Sequence, residues 1–341
     1  MEIEGYRLLQ VTKAGVAIYE DATTISLDQK SARMRPRLVG VSAVKATLDE
    51  FTDTFGRDSD DGFTLLNPDM HSCQKLHQIA AERERYIDIN WLAMQPTWTG
   101  SMARRRDFVV LACEETFYTG SQHNRRGWAN MMHSVQLPWC PPLDKLSSIV
   151  RGSMHQTGVI VLESEASPEW LHVISIVEID MKGNIADRSQ RANALKRIGC
   201  LESIAPTIVK QRLQRMSLMR TKQFNAAKPT KESHCAVCTQ RIGIPSLRLH
   251  HYCRKCSNSV CGTCSRNWQL DPNTKKKTRV CGLCIMATQK CTKSTDTSTT
   301  NNDNDIVYDG DDDDVLKRNI PLMQRAVTDH RPSRAQAFLE T

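Results

Sequence analysis

The sequence predicts an α+β domain followed by a small metal-stabilised module and a polar tail. Three observations carry that expectation. Short runs rich in β-branched residues succeed one another as far as Ile179 and lead into a long helical pattern, the order expected of an antiparallel sheet packed on a terminal helix. Four Cys-x-x-Cys pairs then fall between Cys235 and Cys284. Beyond them, Ser294 to Asp305 is a run of Ser, Thr, Asn and Asp, and Asp311 to Asp314 repeats one charge; neither can bury enough apolar surface to offset its ordering entropy.

In chain order, Gly15 to Tyr19 and Arg37 to Val41 read as short strands bounded by turn residues. Ser42 is then expected to cap a helix through Phe55, with Val44, Leu48, Phe51 and Phe55 as its apolar stripe and Gly56 as its stop. Tyr86 to Met94 alternates, placing Ile87, Ile89, Trp91 and Ala93 on one side. Asp107–Thr116, Trp128–Leu137, Gly158–Glu163 and Leu171–Ile179 follow as further strands of one antiparallel sheet. A long helix is predicted from about Ala186 to Met216, carrying Leu195, Ile198, Leu201, Ala205, Ile208 and Leu213 at helical spacing, with a kink or restart at Pro206. Trp91, Phe108, Val110, Met132, Val135 and Ile160 are candidates to line either a filled core or an apolar tunnel. The following stretch, Ser217 to His234, is polar and contains Ala226-Ala227-Lys228-Pro229, as a linker would.

The eight cysteines of the module are Cys235/Cys238, Cys253/Cys256, Cys261/Cys264 and Cys281/Cys284. Two cysteines three apart turn both sulfurs toward one ion, and Zn²⁺ accepts a closed Cys₄ cage as a structural site. Eight thiolates make two such sites, so two zinc ions are expected. Only Ser257 to Val260 separates the second and third pairs, and five extended steps of ~3.3 Å reach ~16 Å. That span permits a cross-brace, with Cys235, Cys238, Cys261 and Cys264 on one zinc and Cys253, Cys256, Cys281 and Cys284 on the other. The segment has too few apolar residues for a core of its own, so metal binding is expected to supply ~10–16 kcal/mol of folding energy per site.

This cysteine spacing, with Arg254 after the third cysteine and Arg279-Val280 before the seventh, resembles a FYVE-type zinc finger. The resemblance implies binding of phosphatidylinositol 3-phosphate on endosomal membranes. The family's basic motif reads Arg/Lys, Arg/Lys, His, His, Cys, Arg. Aligned on Cys253, the chain matches it at His251, Cys253 and Arg254; with Tyr252 as an insertion, Arg248, His250 and His251 come into register. The upstream Trp-x-x-Asp of the family is missing from Asn225 to His234. The resemblance nominates Arg248, His250, His251, Arg254, Lys255 and Arg279 as a headgroup cradle, and the loop Thr239 to Leu247, through Ile244 and Leu247, as the part that enters the bilayer.

Further upstream, Arg106-Asp107-Phe108-Val109, then Arg151-Gly152 before Gly158-Val159-Ile160, then Ile179-Asp180-Met181-Lys182-Gly183 resemble the START lipid-binding family over roughly residues 5 to 215. The family wraps a curved antiparallel sheet around a C-terminal helix and encloses one apolar ligand. Its N-terminal helix is expected to be short or absent here, and the proline usual after Lys-Gly is replaced in Asn184-Ile185-Ala186. The Arg106/Asp107 pair is expected to be structural.

Composition narrows the function classes. The 341 residues are 40% hydrophobic with a net charge of +8. Residues 231–290 hold eleven basic against two acidic side chains, whereas 291–341 hold six against ten, so the finger is the cationic element. Met1 to Gly5 is no signal peptide and no apolar run reaches membrane-spanning length, so a reducing cytoplasm is expected, with Cys73, Cys113, Cys140 and Cys200 as ordinary thiols. The basic residues lack interleaved aromatics beyond Tyr252 and Trp268, which argues against nucleic acid. No His-Glu-x-x-His, Gly-x-Ser-x-Gly or phosphate-cradling glycine loop is present, which argues against an enzyme. The expected protein is a non-enzymatic adaptor, peripheral on endosomal membranes: a START-like helix-grip domain (1–216) holding an apolar lipid, a linker (217–234), a cross-brace FYVE-like finger (235–287) and a disordered tail (288–341), with protein partners left open. The alternative is a zinc-stabilised protein-interaction scaffold, FYVE-related or RING-like, without specific lipid binding.

Overall fold

The computed structural model describes residues 5–22, 36–94, 104–119, 125–143, 149–167, 169–183, 185–227, 232–243, 249–271 and 274–290. The expected tail (288–341) from Cys291 onward, and Ile244, Leu247 and Arg248, therefore lie outside the described residues, whereas residues 288–290 belong to a helix. The described residues of Met1–Leu48 and Phe55–Glu202 make one compact unit, and those of Asp49–Thr54 and Ser203–Thr299 make another.

The first unit is built on an eleven-stranded sheet. Strands β1 (Tyr6–Val11), β2 (Ala17–Asp21) and β3 (Arg37–Lys45) precede two short helices, α1 (Leu48–Phe55) and α2 (Gly62–Leu66). Then come β4 (Met70–Ala81), β5 (Arg85–Met94), β6 (Arg106–Thr119), β7 (Arg125–Ser134), β8 (Val150–Arg151), β9 (Ser153–Met154), β10 (Thr157–Glu163) and β11 (Trp170–Asp180). The main path runs β1-β2-β3-β11-β10-β7-β6-β5-β4 with every neighbour antiparallel, while β8 lies parallel to β6 and β9 pairs β11.

Several expectations are corrected by this arrangement. Ser42 does not cap a helix; it lies inside β3 opposite Val173, and α1 begins only at Leu48. The error has a physical source, because Val44 fits a strand's two-residue period as well as a helical stripe that continues through Leu48. β4 went unforeseen because ten of its twelve side chains are polar, small or exposed enough to leave no apolar alternation; most of the strand faces water at the sheet edge. The single long helix is two, α3 (Asp187–Ile198) and α4 (Leu201–Arg215), and the break falls at Gly199-Cys200. Pro206 stands within α4. At the break, the Gly199 N–H closes on the Leu195 carbonyl (3.1 Å) and Cys200 N–H on the Arg197 carbonyl (3.1 Å), a tightened last turn where glycine weakens helix continuation.

Registers assign the tunnel candidates to opposite faces of the sheet. Phe108, Val110 and Met132 share a face with Val159, Val161 and Gly40, whereas Trp91 and Ile160 point the other way. α3 packs on the first of these faces. A Cβ on Gly40 would stand 2.4 Å from Cγ2 of Ile198, so only glycine lets the helix approach β3 this closely. The opposite face carries its own buried cluster of Tyr19, Val39, Val41, Ala129, Ile160, Leu162, Ile174 and Ile176. A buried ion pair ties α3 to the segment before β4: Arg197 Nη1 reaches both carboxylate oxygens of Asp69 (2.8 and 3.0 Å) and Nη2 meets the Asn67 side-chain oxygen.

His172 of β11 is 1% exposed, and neither ring nitrogen has a partner among the described residues. Burial, reinforced by the Arg125 charge, pushes its pKa down to about 4. The imidazole is neutral in the folded chain and takes up a proton near pH 6.5 when unfolded. Its contribution is therefore intact above pH 6.5 and is lost as pH falls from 6.5 towards 4, by up to about 3 kcal/mol. Melting curves of the first unit's transition across that window should show the loss, and His172→Leu should flatten it. An unchanged slope in the variant would exclude His172 as the cause.

Candidate functional site

The second unit holds the finger. Its elements are α5 (Thr221–Ala227), β12 (His250–Tyr252), β13 (Ser259–Cys261), β14 (Ser265–Trp268), β15 (Thr278–Cys281) and α6 (Gly282–Lys290), with β12 paired to β13 and β14 to β15. Two cysteine turns have the same construction. Thr239 N–H closes on the Cys235 carbonyl and Ser257 N–H on the Cys253 carbonyl, both at 2.8 Å, and Thr239 and Ser257 adopt left-handed φ of 56° and 63°. Each turn thereby aims two sulfurs to one side.

The sulfurs of Cys235, Cys238, Cys261 and Cys264 lie within 4.8 Å of one another, as do those of Cys253, Cys256, Cys281 and Cys284. Around a zinc with Zn–S bonds of ~2.3 Å, tetrahedral sulfurs stand about 3.8 Å apart. The Cys238–Cys261 and Cys256–Cys281 sulfurs are each 3.9 Å apart, so both sets fit the ion. Zinc in such a cage supplies a structural cross-link and no open coordination position. Backbone N–H groups also point at two of the sulfurs. Cys235 Sγ accepts the N–H groups of Val237 and Cys261 (both 3.4 Å), and Cys253 Sγ accepts that of Cys281 (3.3 Å). Burial alone would raise the Cys235 thiol, but the N–H donors outweigh it and bring the pKa to about 6. The remaining core is small: Leu213, Ile242, Val260 and Val280 are buried among the cysteines.

Around these cages the structure places the basic residues unevenly. Arg254 N–H donates to the Arg279 carbonyl at 2.9 Å, which brings together two arginines twenty-five residues apart in sequence. His251 stands beside Arg279; burial first, then the Arg279 and His250 charges, lower its pKa. His250 is exposed, bonds Ser259 Oγ (3.0 Å) and meets the Tyr252 ring edge-on. Arg279 donates to Ser265 Oγ at 3.0 Å.

A contact absent from the sequence reading involves α5 and the residues before it, within the stretch expected as a linker. The Arg254 guanidinium donates to the Met219 carbonyl (3.1 Å) and its carbon lies 4.2 Å from the Phe224 ring centroid. Lys255 Nζ donates to the Ser217 carbonyl at 2.9 Å. Phe224 is 7% exposed and is the only aromatic between Ser217 and His234, which was the one available signal. Below these residues, Arg212 makes a bidentate pair with Glu50 (2.8 and 2.7 Å), and Gln214 Nε2 reaches the Leu270 carbonyl at 2.7 Å.

The sheet of the first unit carries a polar group on the face shared by Phe108, Val110 and Met132. Glu114 accepts the Arg57 N–H (3.1 Å), Trp128 Nε1 (3.2 Å) and Asn130 Nδ2 (3.3 Å), while burial raises its pKa against these donors. Asp88, on the neighbouring strand, faces Lys75 Nζ (3.3 Å) and Arg57 Nη1 (3.6 Å). Neither carboxylate was singled out from the sequence, because isolated acidic residues in strands carry no spacing signature.

Comparison with known proteins matches residues 67–216 to the START domain and residues 226–290 to the FYVE zinc finger. No curated protein matches the chain. Among solved structures, it is similar to human StAR-related lipid transfer protein 5, at 14% identity and a TM-score of 0.46 over 61% of this chain and 88% of that one. It is also similar to human STARD10, at 15% identity and a TM-score of 0.46 over 62% and 75%. A third is the STAR-related lipid transfer protein of Xanthomonas axonopodis, at 15% identity and a TM-score of 0.41 over 60% and 98%. Among the described residues no helix is long and apolar enough to cross a membrane. The chain carries a START domain, a lipid-binding module, followed by a two-zinc FYVE finger, a membrane-targeting module.

Proposed function

We propose that the chain is a non-enzymatic adaptor whose finger recognises phosphatidylinositol 3-phosphate on endosomal membranes and whose START domain holds one apolar lipid. The observation that supports the headgroup reading is the backbone bond that holds Arg254 next to Arg279, with His251 beside Arg279. Two guanidiniums and an imidazole would match a phosphate's several acceptor oxygens, and a planar guanidinium takes two of them at once. The Met219 carbonyl uses only one N–H of Arg254, and a guanidinium has five. Leu249, 72% exposed, stands at the end of the segment that contains Ile244 and Leu247, where an apolar contact with the bilayer would add to the headgroup.

Arg279→Lys tests this reading while keeping the finger's charge. General attraction to anionic lipid should persist, whereas preference for the 3-phosphate should fall ten- to a hundredfold, the equivalent of ~1.5–3 kcal/mol for a charged hydrogen bond. Flotation on vesicles with and without phosphatidylinositol 3-phosphate, at matched surface charge, measures it. A native chain without that preference would instead favour the protein-interaction scaffold.

For the START domain, the helix-facing side of the sheet supports a ligand with an apolar body and a polar end. Phe108, Val110 and Met132 offer the apolar wall, and Glu114 and Asp88 the polar one. Ala112 projects from the same face between Val110 and Glu114. Ala112→Trp should block uptake of labelled lipid while costing no more than ~1–3 kcal/mol of stability. Equal loss of melting temperature and of binding would indicate a solid core, and lipid extracted from the purified native chain would identify the ligand.

A further inference from the structure

The Arg-Asp and Arg-Gly strings of the START domain close on each other. Asp107 is fully buried and accepts Arg151 Nη2 and Trp91 Nε1, each at 2.9 Å. Arg151 also reaches outward, donating to the carbonyls of Cys140 (Nη1, 3.3 Å) and Pro141 (Nη2, 3.1 Å). The strand carrying Arg151 is pinned beside β6, with Val150 N–H on the Arg105 carbonyl (3.0 Å) and Gly152 N–H on that of Asp107 (2.9 Å). A Cβ on Gly152 would come within 2.4 Å of the Phe108 ring, so the approach requires glycine.

What this brace holds is the loop Leu137-Pro-Trp-Cys-Pro-Pro-Leu143. Cys140 N–H turns back to the Leu137 carbonyl at 3.0 Å, and three prolines restrict the backbone further. A half-buried arginine thus fixes a segment whose Pro138, Trp139, Pro141 and Pro142 all face solvent. Trp139 is 59% exposed, the most exposed of the described aromatic side chains. Arg104 and Arg105 are also exposed and stand at the end of β6 that receives Val150, beside the brace.

We propose that this loop is a membrane contact belonging to the START domain itself: Trp139 and its flanking prolines enter the interfacial layer of an anionic bilayer, and Arg104 and Arg105 face lipid phosphates. A stiff loop loses little conformational freedom on insertion, and an indole has both the apolar body and the N–H suited to the headgroup level. The paired arginines give the surface its preference for an anionic bilayer over an uncharged apolar partner. This contact is independent of the finger's headgroup.

The test uses the full chain on phosphatidylcholine/phosphatidylserine vesicles free of phosphoinositide, so that its outcome does not depend on headgroup recognition. Vesicles with brominated acyl chains should quench the native chain's fluorescence, and Trp139→Phe should remove the larger part of that quenching. Trp139→Ala should weaken partitioning by roughly tenfold with an unchanged melting temperature, since the side chain is exposed. Arg104→Ala with Arg105→Ala should weaken it only where phosphatidylserine is present. Quenching that is the same in Trp139→Phe as in the native chain, or undiminished partitioning of Trp139→Ala, would overturn the proposal. Protection of Trp139 by a proline-binding protein with no quenching by brominated lipid would overturn it equally.

Discussion

Metal analysis of the purified chain should return two zinc ions, and stripping them should abolish the amide-exchange protection of β12 to β15. The reason lies in what is left without the metal. Apart from the cysteines themselves, the described buried apolar residues clustered around the cages are Leu213, Ile242, Val260 and Val280, and α5 adds Phe224, far too few to order the segment. Each Cys₄ site is expected to supply ~10–16 kcal/mol, the largest single term in the molecule. Cys253→Ser should remove one ion rather than two, because Cys253 shares its cluster with Cys256, Cys281 and Cys284 only. Protection would nevertheless fall across both strand pairs, since Cys253 directly follows β12 and Cys281 ends β15, so the lost ion is tied to both. A finger that stays protected after complete removal of metal would refute this account.

Asp107→Ala should destabilise the START unit by about 3–5 kcal/mol. The substitution leaves the Arg151 guanidinium without its buried counter-charge and the Trp91 indole N–H without its acceptor. Removing one partner of a buried pair costs more than the pair's net worth, because the remaining charge stays desolvated. Asp107→Asn retains the volume and one acceptor, so its cost should be smaller. Thermal melting with both variants measures the difference, and limited proteolysis between Leu137 and Leu143 reports whether the loop loosens as Arg151 is released. A cost below about 1 kcal/mol for Asp107→Ala would show that the pair is not the brace.

Legibility varied with the physics behind each signal. The cysteine module could be read in detail because two sulfurs three residues apart and one tetrahedral ion constrain each other almost without reference to the rest of the chain. The buried strands β3, β6, β10 and β11 showed themselves through β-branched runs. β4 did not, since an exposed edge strand has no apolar face to display. The Ser42 helix start failed where two periods share the same apolar residue, and only the pairing of Ser42 with Val173 decides between them.

By itself the sequence determined the α+β class, the two-module order, the eight metal-binding thiols and the cationic character of the finger, each of which follows from local spacing or composition. Tertiary structure decided the partners. Which carbonyl Arg254 meets, that Phe224 covers it, that Arg151 crosses from Asp107 to the Cys140–Pro141 carbonyls, and which face of the sheet carries Glu114 are all contacts between distant segments. A guanidinium or carboxylate looks the same in sequence whether it binds a phosphate, a carbonyl or water. Its role is set by which groups the folded backbone brings within about 3 Å.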